Sequence, residues 1–306
     1  MHVSVSIVGY RNCDDIVRCL AALERSSHSD FEVIICENGG AGAHDELVSR
    51  LPRTLAGGQS VRTVLAPQNL GFAGGVNVCL SETPAADAWW VLNPDTEPYP
   101  EALALMVKRL SSGDCEAVGN TLMLPDGLVQ TYGGAWQSWL ARPVGIGGGG
   151  SLNETIDPRS IERQLSYLAG ASMLISRAFF EAAGPMREDY FLYCEEAEWC
   201  IRATARGMRL GLSTEAKVLH YTGTTTGNTL DHRNRSRQSI YLLERNVILL
   251  TRDCYPGRLL LAAPASFLLL FLRYARRGAW RQLGYGLSGW MAGVRNQRGA
   301  PDWSPA

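Results

Sequence analysis

The chain has 306 residues, of which 46% are hydrophobic and 19% charged, with a formal net charge of −1. That length and apolar content bury a full core, in one large domain or two small ones, and exclude a disordered chain. The balanced charge excludes a general nucleic-acid binder, which carries a marked basic excess, and the 32 glycines show no Gly-X-Y period, which excludes collagen.

In chain order, a β-branched run over 3–9 predicts a buried strand. A helix over 14–24 follows, with Ile16, Val17, Leu20 and Leu23 on one face. Residues 31–37 read as a second strand ending in the turn Glu37-Asn38-Gly39-Gly40. Residues 61–66 read as a third strand, 74–81 as a helix, and 89–92 as a fourth strand leading into Asn93-Pro94-Asp95. A helix over 100–110 has Pro100 near its start and Leu103, Met106, Val107 and Leu110 in register, and 117–123 is strand-like. Residues 1–123 thus read β-α-β-β-α-β-α-β, an α/β unit with a mostly parallel sheet. Ligands of such sheets bind beyond the carboxyl ends of the strands, where Glu37, Asn38, Asn93 and Asp95 fall.

Residues 124–165 are glycine-rich and read as loops or small strands covering a site. Gly145, Gly147 and Gly150 match G-x-G-x-x-G by chance, because no opening strand precedes them and no good helix face follows. Residues 167–175 are strand-like, 177–183 form a short helix closed by Gly184-Pro185, and 189–207 are a loop entering a helix. A last strand over 216–221 contains His220, TGTTTGNT over 222–229 has the composition of a loop, and 235–300 read as helices.

None of the eight cysteines forms a C-x-x-C pair, and several lie in apolar runs, which predicts buried reduced thiols. The opening MHVSVSIVGY lacks the regions of a secretory leader, so a cytoplasmic location is expected and the sequons at Asn153 and Asn234 carry no weight. From Cys254 to Pro301 there are seven arginines and no Asp, Glu or Lys. The apolar run 259–272 within it has 14 residues, which as a helix reach ~21 Å against a hydrocarbon core of ~30 Å. Pro264 is expected to interrupt it. Two readings stand: a membrane-surface element with Trp280, Tyr285, Trp290 and the arginines at head-group level, or a core helix with an arginine-rich solvent face.

Four groups of residues could carry chemistry. Asn93-Pro94-Asp95 can present a carboxylate to a divalent ion whose shell is completed by phosphates and water, and is otherwise a plain turn. Glu195, Glu196 and Glu198 crowd the first turn of a helix. Glu198 has Arg202 at i+4 for an ion pair, while Glu196 faces Trp199 and Cys200, a setting that raises a carboxyl pKa toward that of a general base. His220 is a structural histidine unless it meets Asp95, in which case its nitrogen favours Mn²⁺ over Mg²⁺. The run Asn69 to Asn77 brings glycine backbone and a helix N-terminus to a possible phosphate, or is simply a tight βα loop.

The strings SIVGYRN, CENGG, NLGFAGGVN, VLNPD, YLAGASMLISRAFFEAAGPM, YFLYCEEAEWCIRATARG and VLHYTG occur in the order and spacing of family 2 glycosyltransferases of GT-A fold, and ERN at Glu244 to Asn246 resembles that family's C-terminal helices. The chain resembles the bacterial rhamnosyltransferase-like members most. The resemblance implies a GT-A catalytic domain over 1–230, with a nucleotide-sugar half over 1–123 and an acceptor half over 124–230, followed by a basic helical region over 231–306. It implies that Val8, Tyr10 and Glu37 line the nucleotide base pocket, and that Asn69, Gly71, Gly75 and Asn77 shape the donor site with Asn93. It implies metal ligation by Asp95 and His220 with Mn²⁺ or Mg²⁺, and Glu196 as the base of an inverting reaction. Glu37 and Glu196 stand where the family carries Asp, and Asn93 where many members carry Asp. The expected substrates are dTDP-rhamnose or a UDP-sugar and a glycan or lipid-linked saccharide hydroxyl, with the 222–229 loop closing over the donor. Two alternatives are a nucleotide-sugar-binding protein that has lost transfer, and a membrane-attached scaffold.

Overall fold

The computed structural model describes residues 1–221 and 234–303. The first stretch runs β1 (Val3–Gly9), α1 (Cys13–Leu23), β2 (Phe31–Glu37), α2 (Ala41–Arg50), β3 (Val61–Leu65), α3 (Gly71–Glu82), β4 (Ala88–Leu92), β5 (Thr96–Pro98), α4 (Ala102–Leu110) and β6 (Ala117–Met123). It continues through β7 (Val129–Thr131), β8 (Gly134–Gln137), β9 (Arg142–Gly145), α5 (Pro158–Glu162), β10 (Ser172–Ser176), α6 (Arg177–Ala183), α7 (Glu195–Thr204) and β11 (Leu210–His220). The helices α8 (Arg237–Cys254), α9 (Leu259–Ala275) and α10 (Trp280–Val294) close the chain.

The main sheet has the order β3-β2-β1-β4-β10-β6-β11-β5, with β7 added on β6. The parallel arrangement expected from the sequence holds across β3, β2, β1 and β4 and again between β6 and β11. Antiparallel β10, inserted between β4 and β6, makes the whole sheet mixed. Strand alternation sends neighbours to opposite layers. Trp90 joins Val3, Val5 and Ile7 in the core under α1 and α4, whereas Trp89 joins Val76, Leu80 and Trp199 in the core under α3 and α7. Both indole N–H groups are satisfied, by Ser172 Oγ at 2.9 Å and Thr83 Oγ1 at 3.1 Å. The eight cysteines are unbridged, and seven are buried.

Four expectations need correcting. Helix α2 was absent from the sequence reading because only Leu47 on it is buried, so it shows no apolar stripe. Only 172–175 of the apolar run 167–175 enters the sheet, in β10, since 167–171 bends away as a loop. The last strand starts six residues earlier than expected, at Leu210, with an irregularity between Ser213 and Lys217. Pro264 lies inside α9 rather than ending it, and helical structure spans Pro256–Ala275, 20 residues with the length and apolarity of a membrane span. That helix nonetheless packs Ala262, Ser266, Leu270 and Tyr274 inward. Helix α10 approaches α8 so closely that a Cβ on Gly289 would lie 2.2 Å from the Tyr241 carbonyl oxygen.

Candidate active site

A cavity of about 330 Å³ lies beyond the carboxyl ends of β1 and β4. Val8, Tyr10, Asn69, Gly71, Asn93, Asp95, Glu196 and His220 all line it, so eight of the residues singled out from sequence share one cavity. The sheet explains the longest-range encounter. β11 pairs antiparallel with β5 in the register His220↔Thr96, and the Tyr221 N–H donates to the Asp95 carbonyl at 3.0 Å. Two residues 125 positions apart in sequence are thereby brought together, with His220 Nε2 lying 3.3 Å from Asp95 Oδ1.

The tautomer at His220 follows from its other nitrogen. Nδ1 donates to Gln130 Oε1 at 2.9 Å, because that oxygen can only accept. In the neutral ring Nε2 then turns a lone pair toward a carboxylate oxygen. Two acceptors at this distance are compatible when a cation, either a proton on Nε2 or a metal, lies with them. The N,O donor set suits a divalent transition ion or Mg²⁺ that takes its remaining ligands from phosphate and water. No group of three or more His, Cys, Asp or Glu suited to a metal occurs among the described residues. Gln130, which fixes the ring, belongs to no motif and was invisible in the sequence.

Three residues expected at the donor site stand behind the wall rather than on it. Glu37 is fully buried, its Oε1 accepting the N–H groups of Arg11 at 3.0 Å and Gly39 at 2.7 Å, while Oε2 has no partner among the described residues. Its neighbour Asn38 faces the cavity instead, with Nδ2 donating to the Gly71 carbonyl at 2.9 Å. Gly75 backs Val8, whose Cγ1 would lie 2.5 Å from an added Cβ. Asn77 points away, its Nδ2 donating to Met186 O and Glu188 Oε1, both at 2.9 Å, which ties α3 to the 186–188 loop. None of these three lines the cavity, and the direction of the Glu37 and Asn77 side chains was not readable from sequence.

The opposite wall comes from the 190–196 segment. Phe191, Tyr193 and Cys194 have φ of 66°, 73° and 69°, a cluster of left-handed non-glycine residues that marks stored backbone strain. Gly71, itself at φ 71°, lets this segment approach, since a Cβ there would lie 2.2 Å from the Phe191 carbonyl oxygen. Helix α8 holds the segment in place. Asn246 Nδ2 donates to the carbonyls of Tyr190, Leu192 and Tyr193 at 2.8–2.9 Å, and Arg245 also donates to Tyr190 at 2.9 Å. The ERN run therefore secures the acidic helix, a role its sequence did not reveal.

Glu195 and Glu196 both border the cavity. Glu195 is buried and its Oε2 lacks a partner among the described residues. Burial pushes the Glu195 carboxyl well above the usual carboxylate range, and the charge of Glu196 adds to the rise. Burial also raises Glu196, against the pull of the backbone N–H groups of Glu196, Ala197 and Cys194. Gly170 gives Glu196 its room, since a Cβ there would meet Glu196 Cγ at 3.2 Å. Glu198 makes the ion pair foreseen with Arg202, at 2.8 Å. The G-x-G-x-x-G match plays no part, as none of its glycines lines the cavity. The 222–229 loop lies outside the described residues.

Residues 4–184 match Glycosyl transferase family 2. The chain belongs to this family. It is a glycosyltransferase. It is similar to the N-acetylglucosaminyl-diphospho-decaprenol L-rhamnosyltransferase of Mycobacterium tuberculosis, 26% identical over 267 residues that cover 78% of this chain and 82% of that protein. It is also similar to the low-salt glycan biosynthesis hexosyltransferase Agl10 of Haloferax volcanii, 22% identical with coverage of 83% and 76%. Among solved structures, the mannosyltransferase PcManGT of Pyrobaculum calidifontis, in complex with GDP-Man and Mn²⁺, matches with a TM-score of 0.59 at 15% identity, covering 97% of this chain and 88% of that one. The fold is GT-A, with C-terminal helices added.

Proposed function

We propose that the chain is an inverting glycosyltransferase that moves a sugar, rhamnose from dTDP-rhamnose or a hexose from a UDP-sugar, to a hydroxyl of a lipid-linked saccharide. The observation that carries this reading is the opening of Asp95, His220 and Glu196 onto one cavity. Asp95 and His220 would hold Mn²⁺ or Mg²⁺. The cation, when bound, supplies positive charge to offset the charge developing on the departing diphosphate. Glu196 accepts the proton of the acceptor hydroxyl. That oxygen bonds to the anomeric carbon as the bond from carbon to the β-phosphate oxygen breaks, and the nucleoside diphosphate leaves with the bonding pair. A single displacement with one base inverts the anomeric centre. Burial raises the Glu196 carboxyl above its ordinary value, toward that of a general base, and raises its neighbour Glu195 as well.

The lipid-linked acceptor draws support from α9. Leu260, Leu261, Leu268 and Phe271 are 88%, 64%, 55% and 42% exposed, a large apolar face for a protein in water. Trp139 and Trp280 are 54% and 64% exposed beside it in sequence or packing, and Arg258 stacks on the Trp139 ring at 4.7 Å. An apolar helix face rimmed by Trp and Arg suits the head-group boundary of a bilayer. In this reading 1–230 is the catalytic domain, and 231–306 seats it peripherally on the inner face of the cytoplasmic membrane. The relative from M. tuberculosis, named for a decaprenyl-diphosphate acceptor, agrees with that setting.

The test is Glu196→Gln assayed for transfer from a panel of nucleotide sugars. Turnover falls by at least ~10², the lower range for general-base catalysis, while donor binding is retained. Near-normal turnover refutes Glu196 as the base.

A further inference from the structure

A second cavity, of about 360 Å³, lies among the β8–β9 hairpin, α8 and α9. Arg142 comes from the hairpin, Arg235 from just before α8, and Arg273 from α9, with Glu244 of α8 as the one carboxylate among the described lining residues. Glu244 is buried and accepts a hydrogen bond from Arg273 at 2.6 Å. The described lining thus sets three guanidiniums, one of them bonded to Glu244, around an open space. Arg142 makes no ion pair among the described residues, so its charge faces outward from the hairpin unspent.

The position of this cavity matters more than its charge. Its α9 wall is Ser266, Leu269 and Arg273, while the adjoining face of the same helix is the exposed Leu268 and Phe271. Arg235 lies two residues before α8, and Gln238 and Ser239, three and four residues on, line the catalytic cavity. A molecule with an apolar tail, an anionic middle and a sugar hydroxyl would thus meet three matching surfaces in succession. Guanidinium groups bind phosphate oxygens with paired, charge-assisted hydrogen bonds.

We infer that the Arg142–Arg235–Arg273 cavity binds the diphosphate of a lipid-borne acceptor, with the lipid chain leaving along the apolar face of α9 and the saccharide reaching toward Glu196. The inference rests on the lipid-linked acceptor proposed above and adds the residues that recognise it.

The probes are geranyl diphosphate, inorganic pyrophosphate and UDP, each titrated calorimetrically into the full chain. Wild type is compared with Arg142→Gln, at an exposed position that tolerates change, and with Arg235→Gln. Each variant is expected to weaken geranyl diphosphate by at least about tenfold, the loss of one charge-assisted hydrogen bond. UDP binding stays unchanged, since neither arginine lines the donor cavity. Unchanged geranyl diphosphate affinity in both variants, with UDP binding intact, overturns the inference. Inorganic pyrophosphate binding as tightly as geranyl diphosphate overturns its lipid-borne part. Absence of UDP binding in the wild-type chain would instead count against the donor site, and so separates failure of the functional reading from failure of this one.

Discussion

Asn246→Ala removes a side chain with no exposed surface, and with it the donors to three carbonyls at 2.8–2.9 Å. Tyr190 keeps Arg245 as a donor, so the damage concentrates at Leu192 and Tyr193. Two carbonyls left without a donor, with the bond from Arg245 Nε to Asn246 Oδ1 also lost, predict a loss of ~2–4 kcal/mol in unfolding free energy. The lost side-chain volume adds to this in the same direction. Urea unfolding followed by circular dichroism reads the change as a lower midpoint at constant slope. The same substitution loosens the strained segment that leads into Glu196, so kcat falls while KM for the donor holds. A loss below ~1 kcal/mol together with normal kcat would refute the view that α8 holds the catalytic segment in place.

The remaining predictions address the acidic pair, the strained loop and the apolar face. Glu195 is held protonated by burial, above its ordinary value of 4.5. The folded chain therefore binds more protons here than the unfolded one, and stability from this group falls as pH rises above that value. Glu195→Gln should raise Tm, with a gain that grows between pH 5 and 8, and a gain independent of pH contradicts the assignment. Gly71→Ala would drive a Cβ to 2.2 Å from the Phe191 carbonyl oxygen at a φ of 71°. That change should destabilise by more than the ~1 kcal/mol of an ordinary glycine substitution, as read by thermal denaturation, and a neutral result would show that the two loops can part freely. Leu268→Glu with Phe271→Glu places charges on the exposed face of α9. Flotation with anionic vesicles should fall sharply while hydrolysis of the donor is kept, and undiminished flotation would remove α9 from the membrane contact.

How far the fold was legible depended on burial. β1, β2 and β4 are buried almost throughout and rich in β-branched, aromatic and other apolar residues, so their bounds came out nearly as observed. α2 buries one leucine and left no pattern to find. In α9 the apolar composition was plain, but composition does not say which residues face α8 and which face outward. The same distinction governs the site. Asp95, His220 and Glu196 were singled out by the motifs they sit in, and the structure brings all three to one cavity. Glu37 and Asn77 turn their side chains away from the cavity, because the loop needs Glu37 for its own amides and α3 needs Asn77 as a tether, while Gly75 backs Val8. Gln130 and Asn246 act on partners 90 and more than 50 residues away, which no local pattern encodes.

The central claim is that Asp95 and His220, joined by the β5–β11 ladder, share one cation at the donor diphosphate. Anomalous diffraction from crystals grown with Mn²⁺ and UDP measures it directly. The account predicts a single strong manganese peak within bonding distance of both Asp95 and His220 Nε2. A peak bound by other residues, with this pair left to itself, would contradict it.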